Sequence, residues 1–239
     1  MKRSASFYFI ALVILIAQSG CNQIDCISGS GNEVTQSRKL DSFTFIETGG
    51  SIKLVLKQGP VQDVRIVADD NIQEEITTRV NGKTLKIELE GNLCDSGPIT
   101  AYITAPAFEG VDASGAVELN SDGNLKVNNF EIHLSGSSKV NLDLNAANVL
   151  TTSSGSSEIY LKGQAGTHEV DLSGAGSIEA LDFIVGKYKI ESSGASKSRI
   201  NVLNELRVKS SGASDVQYRG NPTSVSNNDS GASSLKKIN

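Results

Sequence analysis

The sequence is poor in the residue types that most often carry metal or nucleophilic chemistry. It has no tryptophan, three cysteines and two histidines in 239 residues. Neither His133 nor His168 has a cysteine or a second histidine at the spacing of zinc ligands, so we predict no metal site. Serines are plentiful, yet no G-x-S-x-G motif accompanies a histidine and an aspartate, and no Gly-rich segment carries the lysine of a phosphate-binding loop. We therefore expect no cofactor.

Positive charge is also scarce, and two of the cations lie at the N-terminus. The chain has 22 lysines and arginines against 27 aspartates and glutamates, a net charge of -5. Lys2 and Arg3 precede an uncharged apolar run at 7–17, which is too short to span about 30 Å of hydrocarbon and matches the core of a signal peptide. Removing residues 1–20 takes away these two cations and leaves -7. An anionic mature chain is unsuited to nucleic acid, so we expect no such partner.

The apolar run ends at Gln18-Ser19-Gly20-Cys21, which resembles the lipobox of bacterial lipoproteins. Cys21 would then be the acylated first residue of the mature chain and its anchor in the outer membrane. Gln18 departs from the Leu, Val or Ile that is usual at its position, although a relaxed form is familiar in Bacteroidetes-like proteins. Ordinary secretion, with cleavage after another small residue, is the alternative.

If Cys21 is acylated, Cys26 and Cys94 remain as a pair in an oxidising compartment. We predict that they form a disulfide, which would close a long loop and stabilise the fold by roughly 3 to 4 kcal/mol in the chain-entropy estimate. Two free thiols are the alternative.

A Ser-Gly dipeptide recurs along the second half of the chain. Its glycines follow one another at steps of 21, 19, 19, 20, 18 and 19 residues: Gly115, Gly136, Gly155, Gly174, Gly194, Gly212 and Gly231. Each step is about one turn of a β-solenoid, whose turns bury their apolar faces only against their neighbours. The residues next to each glycine are small, as a tight corner stacked on identical corners requires. We predict that these glycines adopt positive φ or allow a close backbone approach.

Apolar residues keep fixed distances from these glycines. Four positions before them stand Val111, Ile132, Thr151, Val170, Ile190 and Val208, and four after them stand Val140, Ile159, Ile178, Val216 and Leu235. Asn227 and Ser198 interrupt these two columns. The alternation with polar residues has a period of two, which indicates strands. The repeat therefore predicts an all-β, single-stranded parallel β-helix with rungs of about 19 residues and an apolar interior.

The outward positions place opposite charges over one another on successive rungs. The predicted neighbours are Lys139 with Glu158, Lys197 with Asp215, and Glu179 with Arg199. Such pairs stabilise adjacent strands by roughly 0.2 to 1 kcal/mol each. We interpret this ladder as a device that sets the register.

The sequence pattern of residues 37–110 differs from that of the Ser-Gly repeat. Stretches such as SFTFIETGGSIKLVLKQG and KTLKIELEGN indicate longer strands joined by glycine turns. The stretch DDNIQEEITTRV, with Asn71 as a candidate N-cap, is compatible with a short helix. We predict that residues 37–110 form an N-terminal β cap and the first rungs of the solenoid at 111–239. Residues 21–36, which contain SGSGN, are predicted to be a flexible tether.

The order of these segments, followed by repeated Ser-Gly-Ser/Ala-Ser, resembles the bacterial family named putative auto-transporter adhesin, head GIN domain. The resemblance covers nearly all of the chain after residue 20. The Gly-Ile-Asn tripeptide of the family name does not occur, and its nearest echoes are RIN at 199–201 and KIN at 237–239. The resemblance implies a pectate-lyase-like β-helix with a role in adhesion. Right-handed winding is the expected hand of parallel crossovers.

The expected function is that of a non-catalytic envelope lipoprotein that binds a surface, a glycan or another protein. A lipid anchor and a regular polar surface favour it. A periplasm-facing structural or sensing lipoprotein is an alternative, because the segment after Cys21 lacks the acidic cluster that often directs lipoproteins to the outside. The sequence leaves the orientation across the outer membrane open.

The other alternative is a carbohydrate-active enzyme. Asp171 and Glu191 stand three residues before successive glycines, and Lys209 follows them in the same column. Two carboxyls one rung apart would lie near the roughly 5 to 5.5 Å of a retaining glycosidase pair. A solvated face on which Glu191 pairs with Lys209 explains the same pattern without catalysis, so we predict that the protein is not an enzyme.

Overall fold

The computed structural model describes residues 26–239. Stacked parallel strands form a β-solenoid of about six turns with rungs of about 19 residues, as the glycine spacing predicts. The predicted signal segment 1–20 and the predicted lipidation site Cys21 lie outside the described residues. Within residues 26–239, no helix has the length and apolar character needed to cross a membrane.

The described chain contains sixteen strands and one short 3-10 helix. The strands are β1 (Ile27–Ser28), β2 (Glu33–Ser37), β3 (Phe45–Gln58), β4 (Asp63–Asp69), β5 (Ile76–Asn81), β6 (Thr84–Leu89), β7 (Leu93–Asp95), β8 (Thr100–Ala105), β9 (Gly110–Gly136), β10 (Lys139–Gly155), β11 (Glu158–Gly174), β12 (Ser177–Gly194), β13 (Lys197–Gly212), β14 (Asp215–Arg219), β15 (Ser224–Asp229) and β16 (Ser234–Lys237). The 3-10 helix spans Gln73–Glu75.

The solenoid body consists of strands β9 to β13; β10 to β13 each cover most of one turn, and β9 covers more than one. They pair in parallel, and equivalent positions of the repeat face one another; Gly155, for example, lies opposite Gly136 on one side and Gly174 on the other. The pairings of Lys139 with Glu158, of Glu179 with Arg199 and of Lys197 with Asp215 also agree with the predicted ladder. The register read from the sequence is therefore the register of the fold.

The interior is built from the predicted apolar columns. The residues four positions before the corner glycines are buried: Val111, Ile132, Thr151, Val170, Ile190 and Val208. Ser198, which interrupts the other column, is also buried, whereas Asn227 in the last turn is exposed. Inward side chains alternate with solvent-facing ones along most of β9 to β13, so each of these turns depends on its neighbours to remove its apolar face from water.

The corners explain the invariant glycine of the repeat. All seven repeat glycines have positive φ, from 82° at Gly231 to 117° at Gly155. A Cβ atom at Gly194 would also lie 2.5 Å from the carbonyl oxygen of Gly174 on the preceding turn. A side chain is therefore disfavoured both by the backbone conformation and by the backbone stacked beneath it.

The first corner glycine is Gly50, which the repeat search missed. Its φ is 86°, and it pairs with Gly115 across β3 and β9. The missed relation has a simple cause: residues 59–109 form the cap between β3 and β9, so Gly50 and Gly115 are 65 positions apart in the sequence.

The N-terminal end of the solenoid is closed by antiparallel strands. β6 and β8 lie parallel to the two ends of β3 and continue the stack below it. β5 then pairs antiparallel with β6, while β4 pairs antiparallel with β8 and β2 with β4. At the other end, the residues of β15 are all exposed, and β16 carries Lys236 and Lys237, charges that disfavour edge-to-edge pairing.

The stretch DDNIQEEITTRV, which is compatible with a short helix, contains one 3-10 turn at Gln73–Glu75. The candidate cap Asn71 does not cap it: its side chain accepts a hydrogen bond from the Ser30 amide at 2.9 Å and donates one to the Ser28 carbonyl at 2.8 Å. The following Ile-Thr-Thr residues form strand β5 against β6, where β-branched side chains suit a pleated surface.

The flexible tether predicted at 21–36 is also corrected over its described part. From Cys26 onward the segment is bound to the cap: β1 pairs with β7, and β2 pairs with β4. The SGSGN stretch is held by Asp70, whose carboxylate accepts hydrogen bonds from the Ser30 hydroxyl at 2.6 Å and from the Asn32 amide at 2.8 Å. These hydrogen bonds lower the pKa of Asp70. Gly-Ser composition alone did not reveal these long-range partners.

Candidate functional site

The predicted disulfide pair lies at the cap. Cys26 and Cys94 form a disulfide with their Cα atoms 5.6 Å apart, across 68 residues of sequence. Together with the pairing of β1 and β7, it fixes the start of the described chain to the loop before β8. The cap is therefore covalently joined to the segment that follows the predicted lipidation site.

The two histidines have separate, local partners. His133 lies at the surface with its Nε2 atom 3.2 Å from Glu131 Oε2. His168 is fully buried, and its ring nitrogens lie 2.9 Å from the hydroxyls of Thr151 and Tyr188. Burial lowers the pKa of His168 to about 3. A neutral imidazole donates one of these hydrogen bonds and accepts the other, so the ring links three successive turns inside the core.

A small groove at the corner contains the carboxylate pair considered for catalysis. We call it the corner groove; it has a volume of about 240 Å³ and is lined by Asp171, Glu191, Lys209 and the neighbouring serines. Asp171 pairs with Glu191 and Glu191 with Lys209 in the strand register, as the sequence predicted. The structure thus brings these three side chains together on one face.

The charges in the corner groove oppose a general acid at Glu191. Its carboxylate oxygens lie 3.4 Å from the ammonium groups of both Lys209 and Lys189. Attraction to Lys209, together with the hydrogen bond from Lys189, holds the pKa of Glu191 below its ordinary value. A glycosidase acid needs a raised pKa, so this arrangement is that of an ion-paired surface carboxylate.

A larger groove lies on another face, where the strand register is broken. We call it the side groove; its volume is about 350 Å³, and its lining residues are Asn120, Ser121, Asn141, Leu142, Asp143, Tyr160, Leu161, Lys162, Glu179, Leu181 and Asp182. A volume above 300 Å³ is within the usual range of ligand sites. The corner groove falls below it.

The walls of the side groove are two bulged rungs. β9 holds two extra residues against β10. Asn120 pairs with Asn141 and Asn124 with Asp143, so three residues of β9 lie opposite one residue of β10. β12 holds one extra residue against β11. Tyr160 pairs with Glu179 and Lys162 with Asp182, so two residues of β12 lie opposite one residue of β11. Between them, β10 and β11 pair in unbroken register and form the floor. Bulges bend a strand and redirect its side chains, which is how a regular ladder acquires a groove.

The floor presents an aromatic ring among ordered polar groups. Tyr160 is 41% exposed, and the Lys139 ammonium lies 5.8 Å from its ring centroid. Asp143 is held by the Asn124 amide at 2.6 Å and by Lys162 at 3.3 Å, and its own amide donates to Ser121 Oγ at 2.9 Å. These contacts fix the side chains around the ring before any ligand arrives.

The sequence interpretation missed the side groove, although a signal was present. The glycine steps of 21 and 20 residues, Gly115 to Gly136 and Gly174 to Gly194, exceed the repeat of 19 and belong to the two bulged rungs. Tyr160 pairs with Glu179, a member of the outward ladder that the sequence analysis interpreted as structural. Departures from a constant period were therefore more informative about a site than the repeat itself.

A third groove at the cap is dominated by paired charges. It has a volume of about 540 Å³ and includes Glu47, Lys86 and Glu88 in its lining. Lys86 lies 2.9 Å from Glu47 and 3.2 Å from Glu88, and hydrogen bonds to these two carboxylates raise its pKa. Among residues 26–239, no cluster of three or more histidine, cysteine or acidic side chains is arranged to hold a metal ion.

Solved structures from Bacteroides and Parabacteroides species share this fold. A protein of Bacteroides fragilis described as a "putative adhesin" is 22% identical, with 89% of this chain and 100% of that chain covered and a TM-score of 0.83. A "putative lipid binding protein" of Parabacteroides distasonis is 19% identical, covering 90% and 100% of the two chains at a TM-score of 0.74. A "putative adhesin" of Parabacteroides merdae is 18% identical, with the same coverage and a TM-score of 0.70.

These likenesses, at low identity, establish the fold. Comparison with curated proteins gives no match. A family model described as "Putative auto-transporter adhesin, head GIN domain" matches residues 42–222, which is more than half of the chain. The resemblance of the segment order and the Ser-Gly repeat is thereby confirmed, and the protein belongs to this family.

Proposed function

We propose that the protein is a non-catalytic, adhesin-like envelope lipoprotein that is anchored through Cys21 and binds a ligand at the cell surface. The observation that carries the proposal is the side groove, in which the regular ladder is interrupted on both sides of an exposed tyrosine. Exposed aromatic side chains set among fixed polar groups are the usual material of recognition surfaces.

The descriptions of the related structures also support an adhesin-like role. Two of the structures named above are described as a "putative adhesin", and the family description contains the same two words. The paired charges of the corner groove argue for binding over hydrolysis, because the Glu191 carboxylate is stabilised in its ionised form by Lys209 and Lys189.

The position of the disulfide gives the proposed anchor a mechanical consequence. Cys26 lies five positions after Cys21, and a chain of that length spans at most about 17 Å. Because Cys26 is bonded to Cys94 at the cap, acylation of Cys21 would hold the cap end of the solenoid near the bilayer. The side groove, on β9 to β12, lies on turns of the solenoid beyond the cap.

The proposal is tested by comparing attachment and anchoring in one strain set. Deletion of the gene should lower the attachment of cells to surfaces or host cells, and the wild-type gene should restore it. The Cys21→Ala variant should be found in the medium or soluble fraction and should not restore attachment. Attachment that is unchanged by deletion would overturn the adhesin role, and a membrane-bound Cys21→Ala product would overturn the anchor.

The enzymatic alternative has its own assay. The purified protein is incubated with pectin-like and other glycans, and new reducing ends are measured. We expect none above the blank. Release of reducing ends that disappears in the Asp171→Ala/Glu191→Ala double variant would contradict the non-catalytic assignment.

A further inference from the structure

We infer that the side groove is a binding site for neutral saccharide chains, in which one pyranose ring stacks on Tyr160. This inference rests on the proposed function and names the ligand class of the same site. It is carried by the Tyr160 ring, the polar groups fixed around it and the charge of the lining.

The tyrosine ring provides the platform. It projects from β11 near the centre of the floor, one strand from β10 and one from β12, and it is 41% exposed despite its apolar surface. A flat ring that is already ordered loses little conformational freedom on binding, and it matches the apolar face of a pyranose. The ring is kept in place beside Lys139, whose ammonium is 5.8 Å from its centroid.

Hydrogen-bonding groups surround this platform in fixed positions. Asn141, which pairs with Tyr160 on one side, donates to Asn120 Oδ1 at 3.0 Å, and Asn120 in turn donates to Glu118 at 3.0 Å. Glu179, which pairs with Tyr160 on the other side, is held by Arg199 at 2.9 Å. Amide and carboxylate groups in these positions suit the hydroxyl groups around the edge of a sugar ring.

The dimensions fit a chain better than a single small molecule. The bulged strands β9 and β12 are three strand spacings apart, about 14 Å at roughly 4.8 Å per spacing. The register shifts place their extra residues on either side of the two-strand floor. A short saccharide segment can lie in such a groove while the polymer continues into solvent.

The charge of the groove selects against acidic polymers. Its lining contains three carboxylates, Asp143, Glu179 and Asp182, against the single cation Lys162. Asp143 pairs with that cation at 3.3 Å. The other two carboxylates pair with cations beside the lining, Glu179 with Arg199 at 2.9 Å and Asp182 with Arg219 at 4.0 Å. A uronate or phosphate group would have to displace Asp143 from Lys162, whereas hydroxyl groups need only hydrogen bonds, so neutral saccharides are the favoured class.

The test uses the purified mature chain and immobilised mannan, mixed-linkage β-glucan, xylan and arabinogalactan, with polygalacturonate as the anionic comparison. We expect retention on at least one neutral polysaccharide and none on polygalacturonate. On that polysaccharide, Tyr160→Ala should weaken binding at least tenfold, since an aromatic platform at a site centre contributes more than about 1.4 kcal/mol, or tenfold in affinity. Tyr160→Phe, which keeps the ring, should stay within about threefold of wild type.

The chain offers a matched control. Tyr102 on β8 is 40% exposed and lies 5.8 Å from the Arg65 guanidinium, so Tyr102→Ala removes an equally exposed, equally cation-paired ring outside the groove. It should bind like wild type. Equal effects of Tyr102→Ala and Tyr160→Ala would overturn the inference, as would failure of the wild-type protein to bind any of the neutral polysaccharides.

The two levels of the proposal fail differently. If deletion lowers cell attachment but Tyr160→Ala cells attach normally, or if attachment through Tyr160 survives periodate treatment of the target surface, the saccharide inference is wrong while the adhesin-like function stands. If deletion leaves attachment unchanged, the proposed function is wrong, whatever the purified protein binds.

Discussion

Substitution of a corner glycine gives the strictest test of the stacking argument. Gly194 has a φ of 106°, and a Cβ there would lie 2.5 Å from the Gly174 carbonyl oxygen of the turn below. An alanine in this conformation costs about 1–3 kcal/mol, and forcing an atom into the stacked backbone costs about another 1–3 kcal/mol. We therefore expect Gly194→Ala to lower the free energy of unfolding by about 2–6 kcal/mol, or the melting temperature by roughly 4–24 °C.

Two control variants separate these contributions. Gly123 has a φ of 91° with nothing within 4 Å of an added Cβ, so Gly123→Ala tests the backbone conformation alone. Gly166 lacks a positive φ, but its Cβ would lie 2.7 Å from the Ala147 carbonyl oxygen, so Gly166→Ala tests the close approach alone. Each should destabilise less than Gly194→Ala in thermal and urea unfolding followed by circular dichroism. If Gly194→Ala unfolds no earlier than Gly123→Ala, the stacked backbone is not what requires glycine at the corner.

Three further outcomes follow from the core, the cap and the groove. The pKa of His168 is about 3 in the folded protein against an ordinary 6.5, so the unfolded chain binds the proton first as the pH falls. The free energy of unfolding should therefore fall by up to about 1.4 kcal/mol per pH unit below pH 6.5. Urea unfolding of His168→Leu should lack this pH dependence, and an equal slope in both proteins would refute the prediction. The Cys26→Ser/Cys94→Ser double variant opens a loop of 68 residues and should lose about 4 kcal/mol in the chain-entropy estimate, and an unchanged urea midpoint would contradict a stabilising role. Tyr160→Ala should leave the melting temperature near that of wild type while weakening saccharide binding at least tenfold, and a large loss of stability would instead make the ring a structural element.

The solenoid could be predicted from the sequence because its information is periodic. Every turn repeats the same small residues at the corner and the same apolar columns, and the same-column neighbours of Gly155 are the glycines one repeat away in the chain. Stacking converts a repeat in sequence into contacts in space, so a fixed step of about 19 residues specifies both fold and register.

The cap resisted prediction because its contacts are not periodic. Gly50 belongs to the first corner but is separated from Gly115 by the inserted strands, and Asn71 serves the N-terminal segment instead of a helix. The SGSGN stretch looks flexible by composition, yet Asp70 binds it across about 40 residues of sequence. Long-range hydrogen bonds of this kind leave no local pattern.

The two grooves were predictable to different degrees. The corner groove was found because Asp171, Glu191 and Lys209 occupy one column of the repeat; the second ion pair of Glu191, with Lys189, was not anticipated. The side groove depends on extra residues in β9 and β12, which appear in the sequence only as longer steps between glycines. Where a repeat protein breaks its own period, a functional site is a reasonable first hypothesis.

The most direct test of the account is the surface accessibility of the protein in intact cells. Cells are treated with a protease, and the mature protein is probed beside a periplasmic control. The account predicts that the protein is lost while the control survives, and that the Cys21→Ala variant leaves the membrane for the medium or the soluble fraction. Protection that disappears only when the outer membrane is permeabilised would contradict the adhesin-like role, because a protein facing the periplasm cannot bring its side groove to an external ligand.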